Sequence, residues 1–346
     1  MEEINGILHT QHWHELEPEP LRSEIEQAME ELKSCKSPGT DGIPAELLKC
    51  LGGEGVEIMW LLCQKIWRTG EWPSDWKQSV FFPLLKKRDA MECSNHRTVS
   101  LISHTSEVLL KVINNRMKSK MKEEVSEVQA GFREGRGTRD HLVNLKVIIE
   151  KCRNHSIPLY ICFIDYKKAF DCVQHTELWR VMDEMGFPKH LTGLISNLYM
   201  DQSAAVRLEG EKLTKWFKIG AGVRQGCILS PNLFSVYTER IMREALDGLE
   251  IGVNIGGYVY NNLRYADDTV LLATSREDLE TILDRVRKAS ASFGLHLNTK
   301  KTKIMVINEE CDDPFICEEG QVEIVDKMVY LGAQFDQSGK TSGELR

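Results

Sequence analysis

Three aspartates are the residues in this sequence best suited to chemistry. Asp165 ends a short apolar run, Leu159-Tyr-Ile-Cys-Phe-Ile164. Asp267-Asp268 interrupts a second apolar stretch, between Leu263-Arg-Tyr265 and Thr269-Val-Leu-Leu272. Aspartate is common in turns and at strand ends, and either site alone means no more than that. Together they mean more. If the two stretches are neighbouring strands, the three carboxylates converge on one sheet edge, where they repel and cannot all stay ionised without a cation. Carboxylate oxygens placed so suit Mg2+, which keeps several waters and takes further ligands from substrate phosphates. That is the layout of two-metal phosphoryl transfer.

The elements that must position these groups follow from periodicity. Leu159 to Ile164 reads as a buried strand. Leu263–Tyr265 and Thr269–Leu272 read as a hairpin turning at Ala266-Asp267-Asp268. Apolar spacing predicts helices over Leu21–Leu32, Val56–Arg68, Glu107–Met121, Thr138–Cys152, Thr176–Met185, His190–Tyr199 and Pro231–Leu246, with another through Leu279, Ile282, Leu283 and Val286. Further strands are expected at Ser79–Leu85, Ala204–Leu208, Lys215–Ile219, Lys303–Ile307 and across Met328–Phe335. The class is α+β: an antiparallel sheet with helices on one face, preceded by a mostly helical region.

Composition narrows the partner. The chain has 346 residues, 42% hydrophobic and 28% charged, which is the balance of a globular protein. No apolar run is long enough to span a bilayer and the Met-Glu-Glu start lacks a secretory signal, so an intracellular protein, nuclear or cytoplasmic, is expected. The net charge of −8 lies wholly in residues 1–31, which hold nine acids and one base; the remainder balances 43 bases against 43 acids. Within that neutral body the bases cluster at Lys111–Lys122, at Arg133, Arg136 and Arg139, and at Lys300, Lys301 and Lys303. Such clusters are often solvated faces. Three together favour a polyanion partner modestly.

Longer motifs sharpen this reading. Phe163-Ile-Asp-Tyr-Lys-Lys-Ala-Phe-Asp171, Gly222-Val-Arg-Gln-Gly-Cys-Ile-Leu-Ser-Pro231 and Tyr265-Ala-Asp-Asp268 occur in this order. With them come Lys36-Ser-Pro-Gly-Thr-Asp-Gly-Ile43, Asn95-His-Arg-Thr-Val-Ser-Leu101, Gln129-Ala-Gly-Phe-Arg133, Asn298-Thr-Lys-Lys-Thr302 and Tyr330-Leu-Gly332. The set resembles reverse transcriptases of non-LTR (LINE-type) retrotransposons, most of all the RTE clade, from about Leu21 to Phe335.

The resemblance implies a right-hand polymerase fold with fingers and palm. It divides the chain into an acidic tail (1–20), a helical extension (21–77), a reverse transcriptase domain (78–336, fingers to about 158 and palm after it) and a C-terminal tail (337–346). It makes Asp165, Asp267 and Asp268 the ligands of two Mg2+ ions, replaceable by Mn2+. Phe170 becomes the gate against ribonucleotides, although the residue reads equally as a core aromatic. Gln225 and Gly226 would meet the nucleotide and template, Lys86 and Arg97 the triphosphate, and Lys301 would protonate pyrophosphate, with Lys300 and Lys303 as competitors. The implied partners are an RNA template, a DNA primer and dNTP. Neither the endonuclease region nor the thumb of intact elements is expected in this stretch. A second reading is an inactive fragment or a co-opted nucleic-acid-binding module.

Overall fold

In a computed structural model the described residues are 16–86, 91–92, 95–208, 212–311, 313–318, 320–338 and 341–342. Most of the acidic tail and part of the C-terminal tail lie outside them. The chain divides into two discontinuous units, one formed by residues 1–123 and 174–233, the other by 124–173 and 234–346.

The second unit is built on a six-stranded sheet. Its order is Phe315–Cys317, Gly320–Ile324, Lys303–Ile307, Leu159–Ile164, Asp268–Ala273, Asn262–Tyr265. All pairs are antiparallel except Lys303–Ile307 with Gly320–Ile324. Every residue of the inner strand Leu159–Ile164 is buried, which requires cover on both faces. Leu159, Ile161 and Phe163 pack with Leu145 and Ile149 of the helix Thr138–Asn154 and with Tyr330 and Phe335 of a following hairpin, Lys327–Tyr330 with Ala333–Asp336. The helix Arg276–Ser292 packs against Leu159–Ile164 and Asp268–Ala273 with Leu279, Ile282, Leu283 and Val286 buried. The pattern of elements predicts helices on one face only; the continuous apolar character of Leu159–Ile164 was the sign of the second layer. Thr341–Ser342 adds a short strand beside Ala333–Asp336.

The first unit carries a four-stranded sheet, His96–Leu101, Gln78–Leu85, Ser203–Val206, Phe217–Lys218 in that order. Its helices include Arg22–Glu30, Gly53–Thr69, the long His104–Glu124, His175–Glu184 and Lys189–Tyr199. The helix Gly53–Thr69 ends at Gly70, whose φ of 68° is a left-handed stop that glycine adopts without strain. Asp41, in the motif Lys36–Ile43, accepts hydrogen bonds from the Ser103 (2.5 Å) and Thr105 (2.9 Å) hydroxyls at the start of the helix His104–Glu124.

Two bases of the run at Lys111–Lys122 are taken up within the fold. Acids from the N-terminal region meet them: Glu31 pairs with Lys111 at 2.7 Å and Glu24 with Arg116 at 2.6 Å, while Lys118 and Lys122 stand exposed. Arg116 also lies 4.8 Å over the Trp67 ring. Lys111 holds the Glu31 carboxyl below the usual range. Charge that looked segregated along the sequence is therefore partly neutralised in the fold.

Candidate active site

Asp165 follows directly after the inner strand. The register Ile164 with Thr269 brings it beside Asp268, which opens the adjacent strand. The remote acids thus meet at one end of two neighbouring strands. Tyr265 pairs with Asp268, so Ala266 and Asp267 form a two-residue hairpin loop. Ala266 has φ 58°, a left-handed conformation that costs an alanine about 1 kcal/mol. Something else must hold it there.

Asp165 is fixed from both ends of its residue. Its backbone N–H donates to the Thr302 hydroxyl at 3.3 Å and its carbonyl accepts from the Asn298 N–H at 2.8 Å. The Asn298 amide donates to one carboxylate oxygen at 3.0 Å, and the Lys301 ammonium lies 3.4 Å from the other. The turn Asn298–Thr302 therefore wraps the acid and brings Lys301 to it. Lys303 instead pairs with Glu323 at 2.5 Å.

Burial, then the charges of Asp267 and Asp165, push the Asp268 carboxyl up to about 6, against the opposing pull of Lys301. The part due to Asp267 and Asp165 is the carboxylate repulsion expected from the sequence; burial is the larger part. The donor set suits a hard divalent cation: three carboxylates at one strand end, with a part-neutralising lysine beside Asp165. Their side chains are not already drawn around a common point. Among the described residues no three His, Cys, Asp or Glu form a ready-made metal cage.

Phe170 sits in a short 3-10 turn and is half-buried. Its ring stacks on Phe234, with centroids 4.3 Å apart and planes at 16°. Phe132 meets it edge-on at 6.4 Å. The ring belongs to an aromatic cluster, as the core-aromatic description from the sequence expects.

Tyr330 and His141 received no role, or only a vague one, from the sequence. The Tyr330 hydroxyl donates to the Asp268 carbonyl at 3.4 Å and is hydrogen-bonded to His141 Nε2 at 3.0 Å. Burial pushes the His141 ring down to about 4. The unfolded ring takes up a proton near 6.5, the folded one only near 4. Its stabilising contribution is therefore present above pH 6.5 and is lost as pH falls from there towards 4. Going from pH 7 to pH 5 is expected to cost about 2 kcal/mol through this group. Denaturant unfolding at the two pH values, with His141→Phe as reference, checks this: the variant should lose that much less than wild type.

The remaining predicted residues lie in the first unit. Arg97 pairs in register with Leu84, and the Lys86 N–H donates to the Asn95 carbonyl at 2.8 Å. Both side chains are exposed at the same end of this strand pair. The Gln225 carbonyl accepts from the Ser100 N–H at 2.8 Å. Gly226 has φ 115° and passes so near Ser100 that an added Cβ would lie 3.0 Å from its carbonyl oxygen. The preceding Arg224 is buried, donates to the Trp76 carbonyl at 2.9 Å and lies over the Tyr199 ring. That anchor fixes the loop carrying Gln225 and Gly226.

The reverse transcriptase (RNA-dependent DNA polymerase) family matches residues 85–335, nearly three quarters of the chain. The chain belongs to that family. This reverse transcriptase domain is 28% identical over 286 residues to the transposon TX1 uncharacterized 149 kDa protein of Xenopus laevis, covering 81% of this chain and 21% of that protein. It is 27% identical over 318 residues to the Pol polyprotein of the type-2 retrotransposable element R2DM of Drosophila melanogaster, covering 88% and 29%. The domain thus spans less than a third of the length of these relatives. Its fold is similar to that of apo telomerase from Candida tropicalis truncated from its C-terminal domain, with a TM-score of 0.57 and 11% identity over 79% of this chain and 56% of that one. No described helix is long and apolar enough to cross a membrane.

Proposed function

We propose that this reverse transcriptase domain copies an RNA template into DNA by adding dNTP to a primer 3′-hydroxyl, with Asp165, Asp267 and Asp268 holding two Mg2+ ions, or Mn2+ in their place. The single observation that carries this reading is the meeting of Asp165 with the 267–268 tip through the strand register, within a chain whose family is that of RNA-dependent DNA polymerases. When bound, the ions supply charge neutralisation for the primer oxygen, the triphosphate and the leaving pyrophosphate.

The chain's own groups have separate tasks in this proposal. Asn298 orients Asp165 through its amide. Lys301, beside the same carboxylate, donates a proton to departing pyrophosphate. Phe170 bears on the sugar's 2′ position and disfavours ribonucleotides, its ring held in place by Phe234 stacked against it. The resemblance to the family assigns Lys86 and Arg97 to the triphosphate, where a guanidinium matches phosphate geometry. It assigns Gln225 and Gly226 to the nucleotide and template.

The test is extension of a DNA primer on an RNA template by the full chain, with dNTP and Mg2+ or Mn2+. Extension is expected for wild type and none for the double variant Asp267→Asn, Asp268→Asn. Equal product from both would mean a contaminating polymerase. No product from wild type would favour an inactive or co-opted nucleic-acid-binding module.

A further inference from the structure

We propose that Gln129 is a positioning residue whose side chain holds the Asp267–Asp268 hairpin in its working conformation; the inference rests on the polymerase reading for its effect on rate. Gln129 is 1% exposed, and no position in the sequence hints at its partner. Its side-chain oxygen accepts from the Ala266 N–H at 2.9 Å and from the Gly131 N–H at 2.9 Å. Its amide nitrogen faces the Ala266 carbonyl at 3.5 Å. One side chain therefore ties down both backbone groups of the residue in the left-handed turn.

The backbone around it is docked as well. The Arg264 N–H donates to the Val128 carbonyl at 3.0 Å, and the Ala130 N–H to the Arg264 carbonyl at 2.8 Å. Residues 128–130 thus pair with the sheet's outer strand just before the turn. Gly131 lies so near that a Cβ there would stand 2.2 Å from the Ala266 nitrogen. Next to it, Phe132 touches the edge of Phe170. The segment 129–132 reaches the metal-side hairpin with one residue and the proposed sugar gate with another. A turn conformation unfavourable for alanine, bearing an acid of the site, needs an acceptor aimed at its N–H, and Gln129 supplies it.

Two measurements on the full chain test this. Amide hydrogen exchange without substrate should show Ala266 and Gly131 exchanging roughly fivefold faster or more in Gln129→Met, which keeps length and loses the acceptor. In Gln129→Glu, which keeps the acceptor for the Ala266 N–H but loses the amide facing the Ala266 carbonyl, exchange should rise less than in Gln129→Met. Unchanged protection in Gln129→Met overturns the proposal whatever the activity. In primer extension, Gln129→Met should lower kcat by about a hundredfold with the dNTP KM little altered. A wild-type kcat, or a loss confined to KM, overturns it too. If wild type extends no primer, the polymerase reading fails and the exchange result alone decides the role of Gln129.

Discussion

Replacing Asp165 with asparagine is expected to lower primer extension by about a thousandfold and to leave the fold intact. The substitution keeps the side chain's shape and touches none of the bonds made by the Asp165 backbone, to Thr302 and from Asn298. The carboxylate is only partly buried, with a side-chain exposure of 34%, so no cavity is opened. What is lost is one of three negative charges. Asp268 is raised partly by Asp165, so its carboxyl should return towards the ordinary range in the variant. The variant loses a repulsion with Asp268 but also the ion pair with Lys301, so the stability of the metal-free fold should change little while catalysis collapses. A collapsed rate with near-unchanged stability separates a functional charge from a structural one. Single-turnover extension and thermal unfolding measure them. A rate within tenfold of wild type, or a variant that fails to fold, would count against the assignment.

Gly131→Ala is expected to be the most damaging change outside the acids. The added Cβ would lie 2.2 Å from the Ala266 nitrogen and 2.9 Å from the Tyr265 carbonyl carbon. Both are backbone atoms of the hairpin, so no side chain can swing away to make room. Either residues 128–131 peel from the edge strand or the hairpin moves. Overpacking of this kind costs about 1–3 kcal/mol, and a displacement near 1 Å at the acids costs about a hundredfold in rate. Gly135 is the control: four residues on, it has φ 73° and nothing within 4 Å of its added Cβ. Gly135→Ala should lose some stability through its backbone conformation and keep its rate. The midpoint of denaturant unfolding and the extension rate, compared across the two variants, decide the matter. Equal rates would show that the hairpin does not depend on the close approach at Gly131.

Much of the site-bearing sheet could be read from local pattern. Leu159–Ile164 and Lys303–Ile307 are dense apolar runs, and the paired stretches around Asp267-Asp268 bracket a turn. Local signals suffice there because strand burial writes itself into residue type. The short hairpin Val253–Ile255 with Tyr258–Tyr260 carries little strand signal beyond Gly256-Gly257 at its turn, with φ of 62° and 86°. Phe315–Cys317 with Gly320–Ile324 carries little either, since its strands are short and mostly open to solvent. The pairing of Glu24 and Glu31 with Arg116 and Lys111 was invisible for another reason. Those partners are far apart in sequence, and charge leaves no periodic trace. Gln129 is the extreme case: its contact to Ala266 spans 137 positions and joins a side chain to a backbone N–H, which no propensity encodes.

The placement of Leu159–Ile164 has a consequence for how the molecule is made. Both of its sheet neighbours, Asp268–Ala273 and Lys303–Ile307, are synthesised more than a hundred residues later. On the ribosome this β-prone, uncharged hexamer must wait unpaired for most of the chain to emerge. Such a segment is a natural target for chaperones and for self-association in the nascent state. The acids cannot assemble until the strands on either side have arrived, so the site is completed late in synthesis, after its central strand has long been exposed.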